Sequence, residues 1–143
     1  MLVNESEGWK PYTAAFIDES FLIGYLTAEE YFYFIGELRG QSKKDIDEFL
    51  VQFDEIFNDE ILGKKKYLRD LSKGNQKKAG IVAALIGNPE IIILDEPFAN
   101  IDPTTQIRLK QMLKSLVKNK DITVLISSHD LGHITDVCER IVV

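Results

Sequence analysis

Residues 90–102, EIIILDEPFANID, constrain this chain more than any other stretch. An unbroken apolar run, Ile91 through Leu94, ends in the adjacent carboxylates Asp95 and Glu96, and Asp102 follows a short polar turn. A run so short and so β-branched reads as a buried strand. Asp102-Pro103 then opens a helix, with the acid as N-cap and proline at the first position; its apolar face is Ile107, Met112, Leu113 and Leu116. ITVLISS (122–128) is a second buried strand, DLGHITDVCE (130–139) a short helix, and RIVV (140–143) the start of a further strand. Strands alternating with helices imply a parallel α/β sheet with crossover connections. Ligands of such sheets sit beyond the carboxyl ends of the strands. Asp95, Glu96, Ser127, Ser128 and His129 all fall there.

Upstream the period changes. Residues 13–17 read as a short strand running into an acidic loop. TAEE (27–30) is a capping box, Thr27 at the N-cap and Glu30 three residues on. Tyr31, Phe34, Ile35 and Leu38 then recur at helical spacing up to a stop at Gly40. Ser42 caps a second helix with apolar face Ile46, Phe49, Leu50, Phe53 and Phe57. These two amphipathic helices, with no strand between them, make a small helical unit. LSKGNQ (71–76) is a polar turn into a helix through Ile81, Ala84 and Leu85, ended by Gly87 and Pro89.

A chain of 143 residues suits one ordinary domain. A hydrophobic content of 45% beside 28% charged residues is that of a globular protein able to bury a core. The net charge of −6 argues against a nucleic-acid binder that works by neutralising phosphates; KKK (64–66) and KGNQKK (73–78) are local exceptions. Cys138 is the single cysteine, which precludes an internal disulfide and fits a reducing compartment. No apolar run approaches the ~18 residues of a membrane span, and MLVNESEGWK lacks the pattern of a signal peptide.

Asp95 and Glu96 leave their strand toward opposite sides, so one can serve a metal and the other a water. The plain alternative is a strand that ends in solvated acids. His129 can donate to a phosphate oxygen or a water, or merely sit among the caps Ser128 and Asp130. The loop LSKGN (71–75) begins a helix whose amides and dipole favour an anion, with the Ser72 hydroxyl as a further donor and Gly74 allowing close approach. A serine-capped helix with no ligand has the same sequence.

Together these pieces are specific. LSKGNQKKAGIVAALIGNPEIIILDEPFANIDP followed by TVLISSHD resembles the nucleotide-binding domain of ATP-binding cassette (ABC) transporters. LSKGN resembles the signature loop, IIILDE the Walker B strand, ANIDP the D-loop, SSHD the switch-histidine loop, and FIDESFLIGYLT the Q-loop. The resemblance implies an incomplete P-loop NTPase (RecA-like) parallel sheet with an inserted α-helical subdomain. Residues 1–26 would be a core strand and Q-loop, 27–70 the helical subdomain, and 71–143 the remaining half of the ATPase core. It implies ATP and Mg2+ as ligands. Asp95 would help hold magnesium and Glu96 would be the general base. His129 would contact the γ-phosphate, and Asp102 would couple the two sites of a dimer. Ser72, Lys73, Gly74 and Asn75 would bind the ATP of an opposing subunit. The implied partners are a second nucleotide-binding domain, head to tail, and a transmembrane transporter subunit, with no nucleic acid; the implied place is the cytoplasmic face of the membrane. The signature type together with the helical subdomain resembles exporters.

Three departures follow. The Q-loop glutamine position falls on Asp18, an acid that could serve magnesium but would repel phosphate. Lys73 and Asn75 stand where the commonest signature has glycine and glutamine. And no G-x-x-x-x-G-K-[ST] loop occurs anywhere: Gly63-Lys64 is followed by lysine. The chain is therefore expected to be the second part of a longer domain, to be inactive alone, and to expose an apolar strand edge over residues 122–127. The alternatives are a non-catalytic interaction module and a non-transport ABC ATPase; the tandem domains or coiled-coil insertions usual in the latter are not visible.

Overall fold

The computed structural model describes residues 6–143. Residues 1–5, which open the expected 1–26 division, lie outside the described residues. β1 (Thr13–Phe16), β2 (Ile91–Asp95) and β3 (Thr123–Ser127) form one parallel sheet in that order. The register sets Ala14 beside Ile92 beside Val124, and Phe16 beside Leu94 beside Ile126. Since side chains alternate along a strand, these six share one face. Ala14, Phe16, Ile92 and Leu94 are buried there, and Val124 and Ile126 pack against the core. The opposite face carries the row Ala15, Ile93, Leu125, and Leu125 is 54% exposed.

α4 (Lys73–Leu85) lies against the covered face. Gly80 permits this approach: a Cβ there would fall 2.0 Å from the Phe16 ring. Gln76 through Leu85 are buried all round, as expected of a helix enclosed on every side. Its other neighbours are α1 (Ala28–Leu38) and α3 (Asp54–Phe57). Both capping boxes form: Thr27 with Glu30 at 2.8 and 3.3 Å, and Ser42 with Asp45 at 2.8 and 3.1 Å.

The first helix buries a stripe rotated from the one expected, which keeps Tyr31 buried and Ile35 packed against the core. Ala28, Tyr31, Phe32 and Gly36 face inward, while Phe34 and Leu38 are 41% and 69% exposed. Gly36 sets the rotation, because it alone admits Ile46 of α2 (Lys43–Leu50): a Cβ would meet the Ile46 side chain at 2.6 Å. The second helix is broken by a 3₁₀ turn, Val51–Phe53, before α3. Ile46, Leu50, Phe53 and Phe57 nonetheless stay inside, Phe49 packs against them, and Phe57 stacks on Phe32 with centroids 5.8 Å apart.

α5 (Pro103–Lys120) packs on α3 and β3 through Thr105, Leu109 and Leu113, flanked by Met112 and Leu116. Ile107, two residues from Leu109, points the opposite way around the helical turn and is 58% exposed. α6 (Leu131–Val137) follows β3. Residues 140–143 form no strand, against expectation, since among the described residues no neighbouring strand offers them backbone partners. Among the described residues no helix is long and apolar enough to cross a membrane.

Candidate functional site

All three parallel strands end at one edge of the sheet, and the expected residues gather there. Asp95 is the last residue of β2 and Ser127 its register partner on β3, so the Ser127 hydroxyl donates to Asp95 Oδ1. The next residue turns sharply: Glu96 has φ 47° while its N–H still donates to Ser127 O at 2.9 Å. That turn swings the Glu96 carboxylate beneath the β3–α6 loop. Its Oε1 accepts from the His129 N–H at 2.7 Å, and Oε2 lies 3.4 Å from the Ser128 hydroxyl. The His129 imidazole stands in solvent with Nε2 3.8 Å from Glu96 Oε1. Backbone donation to a carboxylate, with an imidazole beside it, is an arrangement that can orient a water and follow its proton. Asp18, two residues beyond β1, lies at the same end of the sheet and caps a 3₁₀ turn by accepting from Ser20 N–H at 2.6 Å. Hydrogen bonds from Ser20, hydroxyl first and then amide, with the Lys73 charge as a smaller contribution, hold its carboxyl below the usual range.

The signature-like loop stands at the N-terminus of α4, beside the turn that follows β2. Ser72 Oγ accepts from Asn75 N–H at 3.1 Å, and Lys73 lines a shallow groove with Glu19, Arg69 and Gln76. Gly74 has a tighter reason to be glycine than ligand approach. A Cβ there would fall 2.5 Å from the Asn100 carbonyl oxygen of the same chain. Asp102 caps α5 twice over, from Thr105 N–H at 2.9 Å and Thr105 Oγ1 at 2.7 Å, with Lys78 Nζ 3.8 Å away. The Thr105 hydroxyl, then its amide, then the Lys78 charge lower the Asp102 pKa.

A carboxyl whose pKa is lowered by folding stabilises the fold above its unfolded value and loses that contribution as pH falls through the lowered one. Asp102→Ala should therefore cost about 1 kcal/mol at neutral pH, as an N-cap deletion does. The difference should shrink in acid below the ordinary carboxylate range. Urea midpoints of both proteins at neutral and acidic pH check this; a gap that widens in acid contradicts it.

Sequence reasoning missed two lysines. Lys77 and Lys78 read only as part of a local basic cluster, and they are 5% and 4% exposed. Lys78 sits between Glu60 and Asp102, 3.8 Å from each. Lys77 donates to the backbone of the Glu96 turn, to Glu96 O at 2.7 Å and Ala99 O at 2.9 Å. The available signal was the run AGIVAAL (79–85), without a polar side chain, that follows them in the same helix.

The family model described as "AAA domain, putative AbiEii toxin, Type IV TA system" matches residues 18–134. An uncharacterized ABC transporter ATP-binding protein of Alkalihalophilus pseudofirmus is 34% identical over 98% of this chain and 56% of its own length. One of Bacillus subtilis is 36% identical over 83% and 43%. The methionine import ATP-binding protein of Carboxydothermus hydrogenoformans is 31% identical over 75% and 32%. The chain thus spans about half the length, or less, of these curated relatives. Among solved structures, the dimeric ATP-binding cassette MJ0796 in a post-hydrolysis state with ADP and Pi superposes with TM-score 0.74 at 23% identity, over 87% of this chain and 55% of the other. The fold is that of an ABC ATPase cassette, a partial P-loop NTPase sheet with helices. The chain belongs to this AAA-domain family and is an ABC-type nucleotide-binding domain.

Proposed function

We propose that this chain supplies the water-activating and partner-facing part of an ATP-hydrolysing subunit that powers transmembrane transport. The observation that carries the proposal is the Glu96 carboxylate, held by the His129 amide at the sheet edge next to Asp95. In this reading Glu96 takes the proton of the attacking water and His129 contacts the γ-phosphate. Ser72, Lys73, Gly74 and Asn75 present donors at the N-terminus of α4 to ATP held by an opposing subunit, and Asp102 couples the two sites. The 27–70 segment is the helical subdomain that, with the Q-loop segment before it, meets a transmembrane partner at the cytoplasmic face of the membrane.

The donor chemistry fits magnesium. Asp95 engages Ser127 through Oδ1, which leaves Oδ2 for an ion, and Asp18 stands at the same end. Among the described residues no group of three His, Cys, Asp or Glu gathers to cage a metal. An ion that takes one or two carboxylates and completes its shell with phosphate and water suits such a site. When bound, magnesium neutralises phosphate charge. The export direction rests on the resemblance of the signature type and the helical subdomain, and one relative is named for methionine import.

Positioning the phosphates is most of the work in phosphoryl transfer, and the 143 residues hold no glycine-rich loop with its lysine. Asp95 and Glu96 alone would repel the ligand. Calorimetry with magnesium and ATP should therefore give a dissociation constant of about 1 mM or weaker, the affinity of a few unfocused contacts. Adding in trans a polypeptide that carries a strand, a G-x-x-x-x-G-K-[ST] loop and its helix should confer ATP turnover that Glu96→Gln abolishes. Micromolar affinity by the chain alone, or turnover indifferent to Glu96→Gln, overturns the proposal.

A further inference from the structure

Lys77 is a buried cation whose two hydrogen-bond acceptors are both neutral carbonyls, while the carboxylates of Glu19, Glu96 and Asp95 act on it only from a distance. Its ammonium donates to the carbonyls of Glu96 and Ala99, at 2.7 and 2.9 Å. No carboxylate lies within ion-pair distance of it among the described residues. An ammonium out of water is unfavourable even when hydrogen-bonded, and an apolar side chain of similar length at this buried position would escape that penalty. The position therefore needs a reason other than packing.

The reason lies in the backbone it holds. Glu96 and Asn100, at the two ends of the turn, have φ of 47° and 61°. Asparagine tolerates this left-handed region; a long side chain such as glutamate seldom adopts it and must be held there by its surroundings. Lys77 binds the carbonyl of the strained residue itself. The same helix grips the turn twice more, through Gly74 against the Asn100 carbonyl and Lys78 beside Asp102. If the Glu96 peptide relaxed, its carboxylate would leave the His129 amide.

We propose that Lys77 is a positioning residue: its ammonium fixes the left-handed turn after β2 and thereby aims the Glu96 carboxylate at the His129 N–H. The functional meaning of that aim rests on reading Glu96 as the base, but the geometric claim does not. Lys77 meets no substrate. It acts through Glu96, and it ties the loop at the head of α4 to the turn behind the acids, so that the two move together.

The test uses the whole chain and amide resonances in solution, with no nucleotide. Glu96→Gln first calibrates the His129 amide, which should shift upfield when its charged acceptor is removed. Lys77→Met should reproduce that shift at His129 and move Ala99 and Asn100, while amides of α1 stay in place. Lys77→Arg, which keeps a charged donor, should return His129 most of the way to its original position. Where the Met variant fails to fold, Lys77→Gln, with one donor, takes its place. A folded Met or Gln variant with an unmoved His129 amide overturns the proposal. So does uniform collapse of the Met, Gln and Arg variants alike, which would make Lys77 a structural residue only. Because ATP is absent, failure here is distinct from failure of the proposed hydrolysis.

Discussion

Gly80→Leu is expected to destabilise the chain by about 3 kcal/mol, the upper part of the range for overpacking a core. The contact is severe: a Cβ at position 80 would lie 2.0, 2.4 and 2.7 Å from three atoms of the Phe16 ring. Phe16 is 4% exposed and ends β1, so its ring has no solvent to retreat into. The strain must go into separating α4 from the sheet or pushing β1 from β2, and either loosens apolar contacts across the core. Gly80→Ala should cost less, because replacing glycine inside a helix returns about 1 kcal/mol of backbone propensity. In urea, the leucine variant should unfold about 1–3 M earlier at unchanged slope. Phe16→Ala combined with Gly80→Leu should be less destabilising than the two separate costs added, since each vacates what the other invades. Strict additivity would place the helix farther from β1 than the structure does.

This contact also marks where sequence reading succeeds and where it stops. The elements themselves were legible: Thr27 and Ser42 announced their helices, Asp102-Pro103 a third, and the apolar runs before Asp95 and Ser128 the strands. Each of those signals is local, made within a few residues of chain. Which stripe of a helix faces inward is not local. Phe34 and Leu38 fit a helical period as well as Phe32 and Gly36 do, and only the approach of Ile46 to Gly36 decides between them. Glycine carries no hydrophobic signal, so a close helix contact is invisible to a periodicity argument. The final RIVV failed for a related reason: strand propensity is fulfilled only by a partner strand.

The site was legible in part, by the same logic. Asp95, Glu96 and His129 could be placed at one edge because parallel strands must end together, and the Glu96–His129 link is there at 2.7 Å. The caps at Ser72 and Asp102 were legible too, and each spends a side-chain oxygen on its own helix, but the order of strands did not reveal that Ser127 would hold Asp95. Lys77 was the hardest to foresee. A lysine is normally a surface residue, and its reason for being inside is a pair of backbone carbonyls twenty or so residues away, which no composition or spacing rule encodes.

Self-association through β3 is the second large effect expected. β3 pairs with β2 on one side only among the described residues, so its outer backbone groups form an open edge. The uncovered face adds to this. Parallel sheets are ordinarily covered on both faces, yet here Leu125 is 54%, Ile17 41% and Ile91 38% exposed. A second copy can satisfy both needs at once, adding a strand at the edge and an apolar surface over the row of Ala15, Ile93 and Leu125. Sedimentation velocity should then show concentration-dependent dimers or larger species. Leu125→Lys should shift them toward monomer, because burying a leucine contributes about 1.5–3 kcal/mol. That is about ten- to hundredfold in dissociation constant. The lysine also places a charge where edge strands most often carry one to resist pairing. High salt distinguishes the causes: an association driven by apolar burial persists or strengthens in it, whereas one driven by the surface charges weakens. A single monomeric boundary at every concentration, with slow amide exchange across residues 123–127, would mean that the edge is protected by something other than a second strand.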